Sequence, residues 1–219
     1  MSSKVELVSH TQDAEKLIAY CARVSNPKNQ DNEDFNGLLK YCIREKHWSI
    51  FQMADMTVEI NCQLPIATQI LRHRSFEFQQ FSQRYADATE LDLEIPVPDL
   101  RKQDTKNRQN STDDLGDYLK LTLQEEIRQH FEVSRNLYKK LLSLGVAKES
   151  ARMVLPGATM TRLYMKGSLR SWITYIALRE KNGTQLEHQE VAKACKAIFV
   201  DCFPVIADAL GGANTDWVI

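Results

Sequence analysis

Apolar and polar positions alternate most clearly in residues 50–62, where Met56, Val58 and Ile60 are separated by polar side chains. A period of two predicts a strand with one buried face. Residues 4–9 also have the pattern of a short strand, and residues 158–165 alternate more weakly. Residues 76–85 are ambiguous between a strand and an irregular loop. The chain is therefore expected to contain a small sheet.

Apolar residues spaced by three or four positions predict helices, which carry most of the mass. In residues 168–179, Leu169, Trp172, Ile173 and Ile176 share one face. The other predicted helices are residues 11–24 (capped by Thr11), 34–46, 65–71, 111–144 (capped by Ser111 or Thr112), 147–155 and 185–210 (kinked near Pro204). The helix at 111–144 is longer than a domain of this size needs, so another subunit is expected to cover part of its face.

These elements predict an α+β fold, with a small, mostly antiparallel sheet and several helices including one long helix. The length of 219 residues fits one domain, residues 1–219. Residues 87–110 contain two prolines and a long polar run, and are predicted to form a mobile surface loop. A disordered, tolerated insertion is the alternative interpretation of this loop. The tail from Gly211 is expected to be loose.

Composition restricts the class of protein. With 43% apolar and 26% charged residues and a net charge of −1, the chain indicates neither disorder nor a general affinity for nucleic acid or anionic membranes. The five cysteines include no CxxC pair, which argues against a disulfide framework and a structural zinc site. No signal peptide and no apolar run of about 18 residues is visible. We therefore expect a cytoplasmic protein with reduced thiols.

The densest chemistry lies in residues 71–85. Arg72, His73 and Arg74 are followed by Ser82 and Arg84. Two arginines beside a histidine are costly to bury unpaired, whereas guanidinium groups bind phosphate and carboxylate well. The segment therefore predicts an anion site, although a solvated helix end is the plainer interpretation. Because phenylalanines and a tyrosine are interleaved, a module that binds single-stranded nucleic acid is an alternative function, against which the net charge argues.

A second candidate surface lies on the predicted helix at 168–179. Arg170, Thr174 and Leu178 are spaced by four, so they share a face that suits a ligand with a polar and an apolar part. An ordinary helix flank is the alternative. Glu149 and Arg152 have the spacing of a helix ion pair. The histidines at 10, 130 and 188 stand in unrelated contexts, and neither a metal motif nor a glycine-rich nucleotide loop occurs.

The spacing of Arg72-His73-Arg74, seven residues and then Ser82 resembles the signature of the flavin-dependent thymidylate synthases. The segments at residues 151–156, 161–162, 168–171 and 178–179 resemble later blocks of that family in the same order. The resemblance implies a homotetramer of α+β subunits with active sites at subunit junctions. It implies conversion of dUMP to dTMP, with methylenetetrahydrofolate as carbon donor and FAD, reduced by NADPH, as hydride source. It also implies no cysteine nucleophile.

The same resemblance assigns roles by position. Arg179 and Ser82 are implied to be catalytic, with Arg179 stabilising charge on the pyrimidine. The implied dUMP contacts are Gln69, Arg72, Gln80, Phe81, Ser82, Gln83, Arg84, Arg152 and Arg179. The implied FAD contacts are His47, Ser49, Gln52, Arg72, His73, Arg74, Ser75, Ser168, Arg170, Thr174, Leu178 and Gly183.

This chain departs from the family at four of the FAD positions. Gln52 precedes Met53 where Glu-His is usual, Ser168 and Thr174 replace asparagine, and Gly183 replaces histidine. A flavoprotein of the same fold without synthase activity is therefore a further alternative.

Overall fold

The computed structural model describes residues 3–91, 95–217 and 219. The helices in this part of the chain are α1 Ala14–Ala22, α2 Asn36–Arg44, α3 Leu64–Ile70, α4 Asp117–Ser143, α5 Lys148–Ala151, α6 Leu169–Arg179, α7 Leu186–Cys202 and α8 Pro204–Ala209. The strands are β1 Lys4–His10, β2 Asp55–Gln63, β3 Glu77–Gln80, β4 Lys102–Gln103, β5 Ser111–Thr112 and β6 Met160–Ser168. Short 3₁₀ turns occupy Pro27–Asn29, Trp48–Gln52, Ala88–Leu91 and Arg152–Val154. The predicted α+β class is confirmed. No described helix has the length and apolar character to cross a membrane.

The small sheet has the strand order β1-β2-β6-β3. In β2 buried and half-buried residues alternate along the whole strand, so the predicted period of two is confirmed. The expected cap at Thr11 is wrong. Its Oγ1 accepts a hydrogen bond of 3.0 Å from the backbone of Asp55, and α1 begins only at Ala14, after Asp13 in a left-handed conformation.

The described chain divides into two compact units. The first comprises Asn61–Ile70 and Gln80–Leu163, and the second comprises Ser3–Ile60, Leu71–Gln79 and Tyr164–Ile219.

In the second unit, the inward faces of β2, α6 and α7 form an aromatic core. Trp172 is fully buried and its indole Nε1–H donates to the backbone oxygen of Met56 at 2.9 Å. Trp217 is also buried; its backbone N–H donates to Glu180, which is paired with the buried Lys196 at 2.8 Å. The prediction of a loose tail is therefore wrong at Trp217. Burial of the indole stabilises the ordered tail by more than the loss of conformational entropy destabilises it.

In the first unit, α4 packs on a small core through Tyr138. The Tyr138 hydroxyl accepts from the backbone of Ala88 at 3.0 Å and donates to Asp87 at 3.1 Å, while its ring contacts the cluster that includes Ala151. Other apolar side chains of α4 are less covered: Leu121 and Val133 are each 67% exposed.

Several predicted boundaries are corrected. The long helix begins at Asp117 and not at residue 111, because Ser111–Thr112 pairs with Lys102–Gln103 as an antiparallel hairpin. The predicted kinked helix at 185–210 is two helices, since Pro204 begins α8 after a break at Phe203. Within the predicted mobile loop 87–110, residues 92–94 lie outside the described residues, and the rest contains a 3₁₀ turn and strand β4.

Candidate active site

Arg179 and His73 meet in the second unit. Arg179 ends α6, and His73 follows α3 in the segment Leu71–Gln79. The Nε–H of Arg179 donates to Nε2 of His73 at 3.0 Å. Within the described residues the terminal nitrogens of this guanidinium have no protein partner. The fork of Arg179 is therefore aligned by one hydrogen bond and keeps its outer donors for a ligand.

His73 is held neutral. Burial, and then the positive charge of Arg179, lower the pKa of His73 from 6.5 to about 4. Its ring also packs edge-on against Tyr175, with ring centroids 5.0 Å apart. Because Nε2 accepts from Arg179, the remaining proton of the neutral ring lies on Nδ1. The sequence predicted an anion site here, and the structure adds that the histidine itself carries no charge.

His188 belongs to the same cluster. It is fully buried, and its Nε2 forms a hydrogen bond of 3.1 Å with the hydroxyl of Tyr175. Burial is the first cause that lowers its pKa to about 4, followed by the charge of Arg179. Sequence reasoning placed this histidine in an unrelated context, because its partner lies on another helix and no local motif marks it.

The three residues predicted to share a face of α6 do lie on one exposed face, and their role in ligand binding stays a prediction. Arg170, Thr174 and Leu178 are all exposed, whereas Trp172 and Ile176 are buried. The Thr174 hydroxyl donates back to the carbonyl oxygen of Arg170 at 3.1 Å, which leaves its lone pairs as acceptors. Ser168 has a structural role as well, because its hydroxyl caps α6 by accepting from the backbone of Ser171.

An open groove of about 650 Å³ lies beside α2 and α6. It brings together three of the implied FAD positions, His47, Ser49 and Arg170. Tyr41, Lys46 and Trp48, which sequence reasoning did not single out, also line it. A groove with a guanidinium, an ammonium, a hydroxyl and aromatic walls has the donor set that an aromatic phosphate-bearing cofactor requires.

The other implied FAD positions lie outside the lining of this groove. Gln52 is exposed at the end of its 3₁₀ turn, and Gly183 is exposed with a φ of 97°, which favours glycine. Arg72, Arg74 and Ser75 are exposed around the half-buried His73.

In the first unit, the segment 80–84 begins at Gln80, the last residue of β3. Its backbone is fixed by Phe81, whose N–H donates to the carbonyl oxygen of Arg162 at 2.9 Å. The carbonyl oxygen of Ser82 accepts from two later backbone N–H groups and closes a turn, while its hydroxyl remains exposed. Gln80 donates weakly to Thr161 at 3.4 Å.

Two side chains of this segment fit a ligand-binding role. Arg84 pairs with Glu149 at 3.3 Å, which corrects the expected pair between Glu149 and Arg152. Both partners are more than half exposed, so the pair is weak and an anion can replace the carboxylate. Nε2 of Gln83 is buried and has no partner among the described residues, as a donor awaiting a ligand would be. Gln69 and Arg152 are half-buried.

The aromatic residues of 76–85 do not form one exposed stacking surface. Phe76 is buried against Trp172, with ring centroids 4.8 Å apart, and Phe78 is half-buried. Phe81 is half-buried as well, so that only Tyr85 among these four aromatic residues is highly exposed, at 87%. Stacking on successive bases needs several exposed rings, so this surface argues against the nucleic-acid alternative.

A cavity of about 390 Å³ in the first unit has Ile95, Phe131, Arg128 and Arg135 among its lining residues. None of the implied FAD or dUMP contacts lines it, so we do not assign it to the site.

Comparison with known proteins gives one consistent result. Residues 6–205 match the family model described as "Thymidylate synthase complementing protein" (Thy1). The chain is 52% identical over 214 residues to a probable flavin-dependent thymidylate synthase of Paramecium bursaria Chlorella virus 1, covering 97% of this chain and 95% of that protein. It is 53% identical over 196 residues to the flavin-dependent thymidylate synthase of Synechocystis sp., covering 90% and 89%.

A solved structure shares the fold. The UMP/dUMP methylase PolB from Streptomyces cacaoi, bound with 5-Br dUMP, superposes with a TM-score of 0.79 at 24% identity, covering 98% of this chain and 97% of that one.

Proposed function

Because this chain belongs to the Thy1 family, we propose that it is a flavin-dependent thymidylate synthase. It converts dUMP to dTMP, with methylenetetrahydrofolate as the carbon donor. The observation that carries the proposal is the pair of relatives of that name, each more than half identical across most of the chain. The nucleic-acid alternative receives no support from these relatives.

FAD is the proposed cofactor, and when bound it supplies the hydride after reduction by NADPH. His47, Ser49 and Arg170 would hold it in the groove beside α2. The remaining proposed contacts are Gln52, Arg72, His73, Arg74, Ser75, Ser168, Thr174, Leu178 and Gly183. The groove fits this group because it combines an exposed guanidinium with hydroxyl and aromatic side chains and has no acidic residue in its lining.

The proposed dUMP contacts are the segment 80–84 together with Gln69, Arg72, Arg152 and Arg179. The buried donor of Gln83 and the weakly held guanidinium of Arg84 support this role. Arg179 directs its outer N–H groups at the ring carbonyl of the pyrimidine. There they stabilise the negative charge that develops when hydride adds to the ring, so the ring is activated without a covalent enzyme adduct. Ser82, with an exposed hydroxyl, contributes a second polar contact.

The cysteines are consistent with such a route. Burial raises the pKa of Cys62 to about 12 and also raises the pKa of Cys195, so both thiols stay protonated at neutral pH. A protonated, buried thiol is a poor nucleophile. None of the five cysteines is among the proposed nucleotide contacts.

A homotetramer with active sites that combine residues of different subunits is part of the proposal. The exposed apolar side chains of α4, including Tyr118, Leu121 and Val133, support it, because large apolar side chains in water favour association. A cytoplasmic location is proposed as well, since free dUMP and NADPH are intracellular metabolites.

The experiment that tests the proposal is an anaerobic titration of the purified, FAD-loaded chain. NADPH should bleach the visible flavin band, and dUMP followed by methylenetetrahydrofolate should restore it with formation of dTMP. A flavin that is reduced but never yields dTMP would favour the alternative flavoprotein without synthase activity. A folded chain that takes up no FAD would contradict the proposal.

A further inference from the structure

Helix α2 ends in a conformation that suits glycine but carries a lysine. The N–H of His47 donates to the carbonyl oxygen of Cys42 at 2.8 Å, and the N–H of Lys46 donates to that of Ile43 at 3.1 Å. This pair of bonds is the Schellman motif, in which the residue after the C-cap is left-handed and is usually glycine. Here that residue is Lys46, with a φ of 58°.

The conformation is strained for a lysine. Among non-glycine residues in the described part of the chain, only Asp13 also has a positive φ, and aspartate tolerates this region better. A strained residue persists only where its surroundings or its function require it, and such residues cluster at ligand sites.

The position of Lys46 supplies a functional reason. It lines the groove of about 650 Å³ together with Arg170, and no acidic side chain lines that groove. Lys46 and Arg170 are both exposed, and neither forms an ion pair with a residue that the structure describes. Two cations that face one groove without a counter-charge favour a ligand with concentrated negative charge.

We propose that Lys46 is a second cationic contact, beside Arg170, for the diphosphate of FAD. Lys46 lines the groove from this left-handed position, and the strain is retained because glycine at this position would lose the charge. This inference rests on the proposed FAD cofactor and adds a residue to its site.

The plainer explanation is that Lys46 only completes the helix end, where a cation complements the helix dipole. The two explanations predict different effects of Lys46→Gly on FAD affinity. If Lys46 is only a cap, Lys46→Gly relieves the strain and leaves FAD affinity unchanged. If it binds the diphosphate, Lys46→Gly relieves the strain and weakens FAD binding.

The test removes flavin from the full-length protein and measures rebinding of FAD by flavin fluorescence, with the melting temperature of the flavin-free protein as a second readout. We expect Lys46→Gly to melt no lower than wild type and to bind FAD about ten- to a hundredfold more weakly, the loss of one charge-assisted contact. Lys46→Arg should retain most of the affinity. The affinity of Lys46→Gly should also depend less steeply on salt.

Two controls separate strain and charge from the proposed contact. Asp13→Gly relieves the other left-handed non-glycine residue outside the groove, and Lys193→Gln removes an exposed lysine of α7; both should bind FAD as wild type does. If Lys46→Gly does not fold, Lys46→Asn provides the same test, since asparagine tolerates the left-handed region. Wild-type affinity in the neutral variant overturns this inference alone. Failure of the folded wild type to bind FAD overturns both the inference and the proposed cofactor.

Discussion

The Nε–H of Arg179 and the Nε2 of His73 are joined by a hydrogen bond of 3.0 Å. The bond uses the inner edge of the guanidinium and leaves the outer edge for a ligand. It also requires that His73 be neutral, because a protonated ring would offer no lone pair to Arg179. This contact therefore orients the proposed catalytic cation and fits the neutral state that burial, and then the charge of Arg179, give to His73.

Replacing Arg179 tests its catalytic role. Arg179→Ala removes the donors that would stabilise charge on the pyrimidine, and we expect kcat/KM for dUMP to fall by about 10²–10³-fold, the usual loss for a donor of this type. Most of the loss should appear in kcat, measured as dTMP formed per FAD-loaded site. Arg108→Lys, on an exposed loop, should leave the rate unchanged. A rate near wild type in Arg179→Ala would remove this residue from the mechanism.

The two buried histidines predict a pH dependence of stability. His73 and His188 each have a native pKa of about 4, below the ordinary 6.5. Between these values the unfolded chain binds protons that the native chain does not. The free energy of unfolding therefore falls as the pH is lowered from 6.5 towards 4, and this contribution is fully present above 6.5.

Variants isolate the contribution of His188. The free energy of unfolding, measured with urea, should be lower at pH 5 than at pH 7. We expect His188→Gln to reduce this difference by about 1–2 kcal/mol. His130→Gln, at an exposed position, should retain the wild-type difference. An equal pH dependence in wild type and His188→Gln would show that His188 is not neutral in the native state.

Tyr138 is predicted to be an anchor of the first unit. Tyr138→Phe leaves the ring in place but removes the hydrogen bonds to Ala88 and Asp87. Because the N–H of Ala88 then lacks its acceptor in a buried setting, we expect the free energy of unfolding to fall by about 1–3 kcal/mol. Chemical denaturation measures the loss, and Tyr85→Phe, at a residue that is 87% exposed, serves as the matched control with no expected effect. An unchanged free energy of unfolding in Tyr138→Phe would contradict the anchor.

Two exposed apolar side chains of α4 predict the effect of charge on assembly. The double substitution Leu121→Asp and Val133→Asp should lower the molar mass in light scattering from that of a tetramer, because the carboxylates would be buried without partners in an interface. Val24→Asp, equally exposed in the second unit, should not change the mass. A wild-type monomer would contradict the proposed tetramer, and an unchanged mass in the double variant would exclude these two positions from the interface.

Patterns with a local physical cause could be predicted from the sequence. The alternation around Met56 gave β2, and the four-residue spacing of Arg170, Thr174 and Leu178 gave the exposed face of α6, because strand and helix periods follow directly from backbone geometry. The short strand at Ser111–Thr112 could not be predicted, since its residues also suit a helix cap and only its pairing partner decides between them.

Features that depend on distant partners were missed. The residues around His188 in the sequence do not indicate a role for it, because its hydrogen-bond partner, Tyr175, lies on another helix. Trp217 follows a glycine-rich turn that suggested a loose tail, yet its indole packs against Phe199. The left-handed backbone of Lys46 was missed for another reason. A left-handed residue after a helix is usually glycine, so a lysine at this position gives no signal in the sequence.

The fate of the folate shows whether reduced FAD is the source of the hydride. Conversion of a transferred methylene to a methyl group needs two electrons. If reduced FAD supplies them, the folate leaves as tetrahydrofolate; if the folate supplies them, it leaves as dihydrofolate. The chain loaded with FAD and given dUMP, NADPH and methylenetetrahydrofolate should release dTMP and tetrahydrofolate in equal amounts, and release neither without FAD. Formation of dihydrofolate, or dTMP made without FAD, would contradict the account.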